Sequence, residues 1–527
     1  MATSNNPGAG QPAHIEYPPL TGATLAWGTF ALALATFMIV LDSSIANVSI
    51  PAISGDLGVS PSQGTWVITS FAVANAISIP LTGWLTQRFG QVRLFITAIL
   101  LFILASWLCG FAPNIGALIV FRILQGAVSG PIIPLSQSLL LSSYPKAKAG
   151  TALALWAMTT LVAPVMGPLL GGYITDHINW SWIFYINIPV GLIAAGITWS
   201  IYQTRESVVH KLPIDRVGLF LLVVWVGAMQ VMMDKGKELD WFESTQIISL
   251  AVVAVVGFAF FIAWELTDEH PVVDLSLFAR RNFWTGTMAL SLGYGVFFGN
   301  VVLLPLWLQQ YMGYTATQAG MILAPVGIMA IILSPMVGKS ISKVDPRRLT
   351  TISFLVFALV LWMRSKFNTD ADMMTILLPT FVQGVAMAFF FIPLVSLTLS
   401  GLPAHKIPSA SGLSNFARIT AGAFGTSITT TIWENRAAMH HAHLTERLNL
   451  ANLPTTSTLR SLQTAGLNSD QALAVINRTI DQQAYMMSAD DIFFASSMIF
   501  IVLLGVVWLA RPVKSAAGSS VDAGAAH

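Results

Sequence analysis

Apolar runs of about twenty residues recur along this chain from Trp27 to Ala510, and they decide what it can fold into. A membrane's hydrocarbon core takes about 20 apolar residues per helix. In lipid each backbone N–H and C=O must be satisfied within its own segment, which favours helices. Fourteen spans can be drawn, near 26–50, 65–86, 92–112, 115–141, 150–175, 181–202, 216–234, 245–266, 283–309, 317–341, 348–366, 373–399, 409–433 and 490–510. Only 9% of the residues are charged, where a soluble domain has about 25%. The predicted class is an all-α polytopic membrane protein.

Basic residues set the expected orientation. With a cytoplasmic N-terminus, sixteen Lys and Arg fall in the inner loops and the C-terminal tail, among them Arg88, Arg93, Arg347 and Arg348. The short outer loops hold only Lys235, Lys237, Arg364 and Lys366. Both termini are therefore expected in the cytoplasm, and the long connection between the last two spans outside. The polar N-terminal stretch lacks a basic start and a small-residue cleavage site, so the first span should act as its own insertion signal. The single cysteine, Cys109, excludes an internal disulfide.

The chain also repeats. Residues 62–94 align without gaps with residues 317–349, pairing Gln63 with Gln318, Pro80 with Pro335, Gly83 with Gly338 and Arg93 with Arg348. Farther on, Gln125-Gly126 and Ile133-Pro134-Leu135 echo Gln383-Gly384 and Ile392-Pro393-Leu394. Two six-helix halves with spans 7 and 8 inserted between them account for this. Parallel repeats with a site at their interface are a transporter architecture. The expected division is a tail over 1–23, a first half over 24–202, a linker with two extra spans over 203–280, a second half over 281–510 with an external loop over 434–488, and a tail over 511–527.

Charges inside the spans are the candidates for function. Asp42 is a carboxylate at membrane depth, which is costly and functional by default; the bland alternative is a structural cap bonded to Asn47 and nearby backbone. Arg122 lies inside span 4 in FRILQG. Counted at 1.5 Å per residue from the outer ends of their spans, both charges sit about 12–13 Å deep, so they can pair if spans 1 and 4 are neighbours. Arg418 is buried in span 13 with no acid of the second half at its depth, so it either snorkels to the cytoplasm or faces a wet cavity. Trp156, Asn300 and Gln125 complete the candidate lining of a substrate cavity. Gly83, Arg88, Gly90 and Arg93 in GWLTQRFGQVR form a tight, basic loop between spans 2 and 3. Pro164, Gly167, Pro168, Gly171 and Gly172 end span 5 with bends and close-contact positions.

Other chemistry is not indicated. Gly338-Lys339-Ser340 lacks the first glycine of a phosphate loop, because position 333 is Leu333. Neither HExxH nor GxSxG occurs, so the reading is not an enzyme. No metal or cofactor is expected; His440, His441 and His443 read as solvated, and energy would come from an ion gradient. The loop flanks NRAAMHHAHLTERLNL and DQALAVINRTIDQQAYMM are mildly amphipathic, suiting either a docking surface or a solvated cap.

LDSSIANVSIP, GWLTQRFGQVR, FRILQG and VAPVMGPLLGG together resemble the major facilitator superfamily, in its fourteen-helix drug:proton antiporter branch. The likeness covers nearly the whole chain and is strongest to the EmrB-type multidrug exporters. Gln87 departs from the loop motif, which usually has an aspartate there. The resemblance implies proton-coupled export of hydrophobic compounds from the inner membrane of a Gram-negative bacterium. It also implies a periplasmic membrane-fusion adaptor and an outer-membrane channel as partners. The alternatives are a facilitator or importer of a defined metabolite, or a non-transporting sensor or assembly subunit.

Overall fold

The computed structural model describes residues 17–209, 213–446, 448 and 453–512; for a few positions inside helices only the backbone is described. Helices account for nearly all of it. They are α1 (Gly22–Asp56), α2 (Trp66–Ser78), α3 (Thr82–Phe89), α4 (Gln91–Gly110), α5 (Ile115–Ser129), α6 (Ile132–Ser143), α7 (Ala149–His177) and α8 (Asn187–Tyr202). Two linking helices follow, α9 (Arg216–Lys235) and α10 (Thr245–Thr267). Then come α11 (Arg281–Tyr311), α12 (Ala316–Ser340), α13 (Pro346–Arg364), α14 (Met373–Leu399), α15 (Ile407–Glu446), α16 (Leu453–Thr464) and α17 (Ser469–Trp508). Among the described residues eleven helical segments are long and apolar enough to cross a membrane, or twelve if the bent pair α2–α3 is one span. Helices α7 and α15 lie at two further expected spans, with 29 and 40 residues, but outside that set.

Local sequence explains most breaks. The α2–α3 pair bends by 62° around Ile79-Pro80-Leu81. Its repeat partner Pro335 sits inside the continuous helix α12, so proline alone does not set that bend. Gly90 has φ +88° between α3 and α4, and a Cβ there would strike the Glu206 carboxyl at 2.5 Å, so only glycine fits. Asp215, Asp345, Asp372 and Asn468 cap α9, α13, α14 and α17 with side-chain oxygens that accept from backbone N–H groups.

Polar contacts define two faces. Arg205 donates to Pro18 O, Arg281 to Leu509 O, and Arg347 to Ala510 O. Both described ends therefore share one face, here the tail face; α16 lies at the opposite, loop face. The first eight helices meet the last seven through small residues at the tail-face end. A Cβ at Gly150 would lie 2.3 Å from Gly338 O, one at Gly83 would lie 2.9 Å from the Ser409 Cα, and one at Gly412 would lie 3.0 Å from Ile79 O. Backbones in such contact leave no room for a side chain between them.

At the loop face α9 and the turn after it bridge the two groups. On one side Thr69 donates to Asp234, and Lys235 donates to Thr65 at 2.8 Å. On the other, Ser427 donates to Met233 O at 2.8 Å, Trp241 Nε1 donates to Thr431 at 2.9 Å, and Lys237 pairs with Glu434 at 2.6 Å. Asp240 and Trp241 hold φ of +54° and +50°, a conformation that costs non-glycine residues energy.

Candidate functional site: a buried ion pair and an interfacial arginine

Helices α1, α4, α5 and α8 meet around one carboxylate. Asp42 and Arg122 are both fully buried side chains, and Arg122 Nη1 donates to Asp42 Oδ2 at 2.7 Å. Asp42 Oδ1 accepts from Asn187 Nδ2 at 2.7 Å and Gln125 Nε2 at 3.2 Å. Ser106 Oγ accepts from Gln125 at 2.7 Å and Asn187 at 3.3 Å, joining all four helices. Asn47, the partner that a structural cap would use, is exposed instead. An α-helix puts residues five apart on different faces, so one helix cannot present both inward.

Arg122 does not depend on Asp42 alone. Its Nε donates to Val67 O at 3.0 Å, Nη1 also donates to Gln125 Oε1 at 2.6 Å, and its plane lies 4.1 Å from the Phe71 ring centre. Apart from Asp42, the guanidinium thus has an amide oxygen, a backbone carbonyl and an aromatic face. Deleting one member of a buried pair outright costs about 3–5 kcal/mol.

Gly167 and Gly171 set α7 against α1 beside this carboxyl. A Cβ on Gly167 would lie 1.9 Å from Ser44 Oγ, and one on Gly171 would lie 2.9 Å from Ile45 O. Gly172 faces open space, and the side chains of Pro164 and Pro168 lie outside the described residues. In the first basic loop Glu206, which no motif announced, accepts from the backbone N–H of Val92 at 3.0 Å and of Arg93 at 2.9 Å. The Arg93 side chain is exposed and only 3.9 Å from that carboxylate, while Arg88 packs on Trp84 and Phe89.

Arg418 does not snorkel. It is buried on α15, its plane 4.6 Å from the Tyr294 ring centre, and its Nη2 donates to Asn415 Oδ1 at 2.9 Å. It borders a cavity of about 10 Å³, room for one water. Trp156 and Gln137 from the first group of helices line the same cavity with Ser411 and Asn415 from the second. Gln137 accepts from Ser411 and, at 3.3 Å, from Asn415. Arg418 and Trp156 thus line the same small cavity. Gln125 and Asn300 are not at this cavity: Gln125 holds Asp42, and Asn300 donates to Ser496 at 3.0 Å between α11 and α17.

Arg364 was expected in a short outer loop, yet it is buried at the end of α13. It donates to Gln383 Oε1 at 2.6 Å and to Thr380 at 3.0 Å. Arg364 lies 255 residues after Cys109, the offset of the aligned repeat, and Cys109 likewise donates to Gln125, at 3.6 Å. The repeat, extended by one helix, was the signal for it. Asn187 and Ser106 had no such signal, because small polar residues are scattered through every span.

Comparison with known proteins gives the family. Residues 32–426 match the model of the Major Facilitator Superfamily. The chain is 53% identical over 513 residues to the Multidrug export protein EmrB of Escherichia coli (strain K12), covering 97% of this chain and 100% of that one. It is 51% identical over 498 residues to the Fatty acid resistance protein FarB of Neisseria gonorrhoeae, covering 94% and 98%. Among solved structures the human organic anion transporter MFSD10 superposes with a TM-score of 0.53 at 11% identity, over 92% of this chain and 98% of that one. That last likeness concerns the fold alone. A multi-pass helical chain with this match over nearly its full length belongs to the major facilitator superfamily, as an EmrB-type transporter.

Proposed function

We propose that this protein is a proton-coupled antiporter that exports hydrophobic compounds, with Asp42 as the proton carrier and Arg122 as its switch. The observation that carries the reading is the buried Asp42–Arg122 pair at 2.7 Å, with every other partner of the carboxyl an uncharged amide. A guanidinium in contact favours the ionised carboxylate, and an apolar surround without it favours the protonated acid. Opening the pair therefore loads a proton, and closing it releases one. Drug and proton then compete through the relative position of the two halves, which rock about the interface holding Arg418 and Trp156.

The export role follows the names of the relatives, a multidrug exporter and a fatty acid resistance protein. We place fourteen spans across the inner membrane, both termini in the cytoplasm and the loop face in the periplasm. The division into residues 24–202, 203–280 and 281–510 goes with this reading. A membrane-fusion adaptor at the loop face and an outer-membrane channel beyond it would complete a tripartite pump.

Reconstituted vesicles test the core of the reading. Asp42→Asn copies the protonated acid, so it should bind drug near the wild-type level but fail to accumulate it under an imposed pH gradient. Uphill transport by that variant would show that the proton travels elsewhere.

A further inference from the structure

A second, larger cavity lies away from both sites just described. It has a volume of about 900 Å³ and follows α15 from Ala417 to Arg436, between α11 and α17. Nineteen residues at 1.5 Å rise make it about 28 Å long, close to the hydrocarbon thickness of about 30 Å. Its floor is a close helix crossing, where a Cβ on Gly295 would lie 2.6 Å from Ala421 O and one on Gly425 2.0 Å from Gly295 O. Ile428, Ile432, Phe494 and Ile499 form walls that remain open at the side.

Charge appears at one end only. There Arg436 Nε donates to Asp491 Oδ2 at 2.9 Å, and His440 Nε2 lies 2.8 Å from the same oxygen. The side chains of Arg436 and Asp491 are 43% and 38% exposed, so both still face a visitor. A trough that is apolar for its length and charged at one end fits a chain-bearing amphiphile. A purely anionic head would meet Asp491, and a purely cationic one would meet Arg436. A head that carries a phosphate and an ammonium a few bonds apart answers both signs, and a primary ammonium can also donate hydrogen bonds to a carboxylate.

We propose that this trough holds one phospholipid with a primary-ammonium zwitterionic head, its phosphate on Arg436 and His440, its ammonium on Asp491, and an acyl chain along α15. The lipid would tie α15 to α17 below the loop face. The full-length protein, stripped in detergent and titrated with phosphatidylethanolamine, phosphatidylcholine or phosphatidylglycerol, can be read by native mass spectrometry. One phosphatidylethanolamine should stay bound about tenfold more tightly than either other lipid. Asp491→Asn should erase that preference. Ala495→Trp, at an exposed position on the trough wall one turn from Asp491, should abolish binding. Equal retention of the three lipids, or unchanged binding by Ala495→Trp, overturns the proposal. Displacement of the lipid by exported drugs would assign the trough to substrate, and overturns it as well.

Discussion

At the residue scale the decisive contrast is between two buried arginines. Arg122 has a carboxylate at 2.7 Å, whereas Arg418 has an amide oxygen and two aromatic faces. On the reading proposed above, a cation so placed at the junction of the two groups of helices is a counter-charge for an anionic substrate. Arg418→Gln should lower export of weak acids about tenfold, while neutral and cationic drugs lose less than about threefold, in side-by-side vesicle assays. An equal loss for all three would mean that Arg418 serves packing. Outside the spans, Asp345 caps α13 and receives the Arg347 guanidinium at 2.7 Å. Burial alone would raise its pKa, but the side-chain and backbone hydrogen bonds and the charge of Arg347 outweigh it and hold it below the usual carboxylate value. A depressed folded value means that this stabilisation is complete above about pH 4 and fades as pH falls through the lower folded value. Asp345→Ala should therefore lower stability by about 0.5–2 kcal/mol at pH 7, and by less at pH 3. The same thermal loss at both pH values would show that the cap, not the ion pair, is what counts.

At the element scale, α9 and the turn after it are bonded to both groups of helices at the loop face, through Thr65 and Thr69 on one side and Ser427, Thr431 and Glu434 on the other. If the two groups rock against each other, α9 cannot stay fixed to both. One cross-link should then be tolerated and the other should arrest transport. Thr69→Cys with Asp234→Cys tests the first seam, and Thr431→Cys with Trp241→Cys, joined by a bifunctional thiol reagent that spans the lost indole, tests the second; Cys109 is buried and should not interfere. Full transport with both seams locked would mean that this face does not move. Much of this scale was legible: repeated apolar runs gave the helices, and the aligned repeat paired α2–α3 with α12. The bend at Ile79-Pro80-Leu81 and the bridge by α9 were not, because both depend on which neighbours the helices find rather than on their own periodicity.

The whole molecule is less symmetric than its repeat. The first group of helices buries an acid among its polar residues, while the second buries Arg364 with Thr380 and Gln383. Depth counting from the span ends predicted that Asp42 and Arg122 could meet. It could not predict Asn187 or Ser106, since a single polar residue in an apolar run does not reveal which way it faces. The sequence also marked the long connection between the last two spans, and there the structure adds length. Helices α15 and α17 have 40 residues each, about 60 Å, twice the hydrocarbon thickness of about 30 Å. They therefore continue well past the membrane, with α16 at their far end. His440 and His441 face α17 there, on Asp491 and Asn477, so they bind the two long helices to each other. A projection of this size is more than a span connection needs, and it is where the adaptor proposed above would dock. Deleting α16, Leu453–Thr464, should spare drug transport in vesicles, because no part of the Asp42 or Arg418 sites lies within it. In whole cells the same deletion should abolish resistance if the projection hands substrate to a second protein. Equal loss in both assays would make the projection part of the transport core, and the docking proposal would fall.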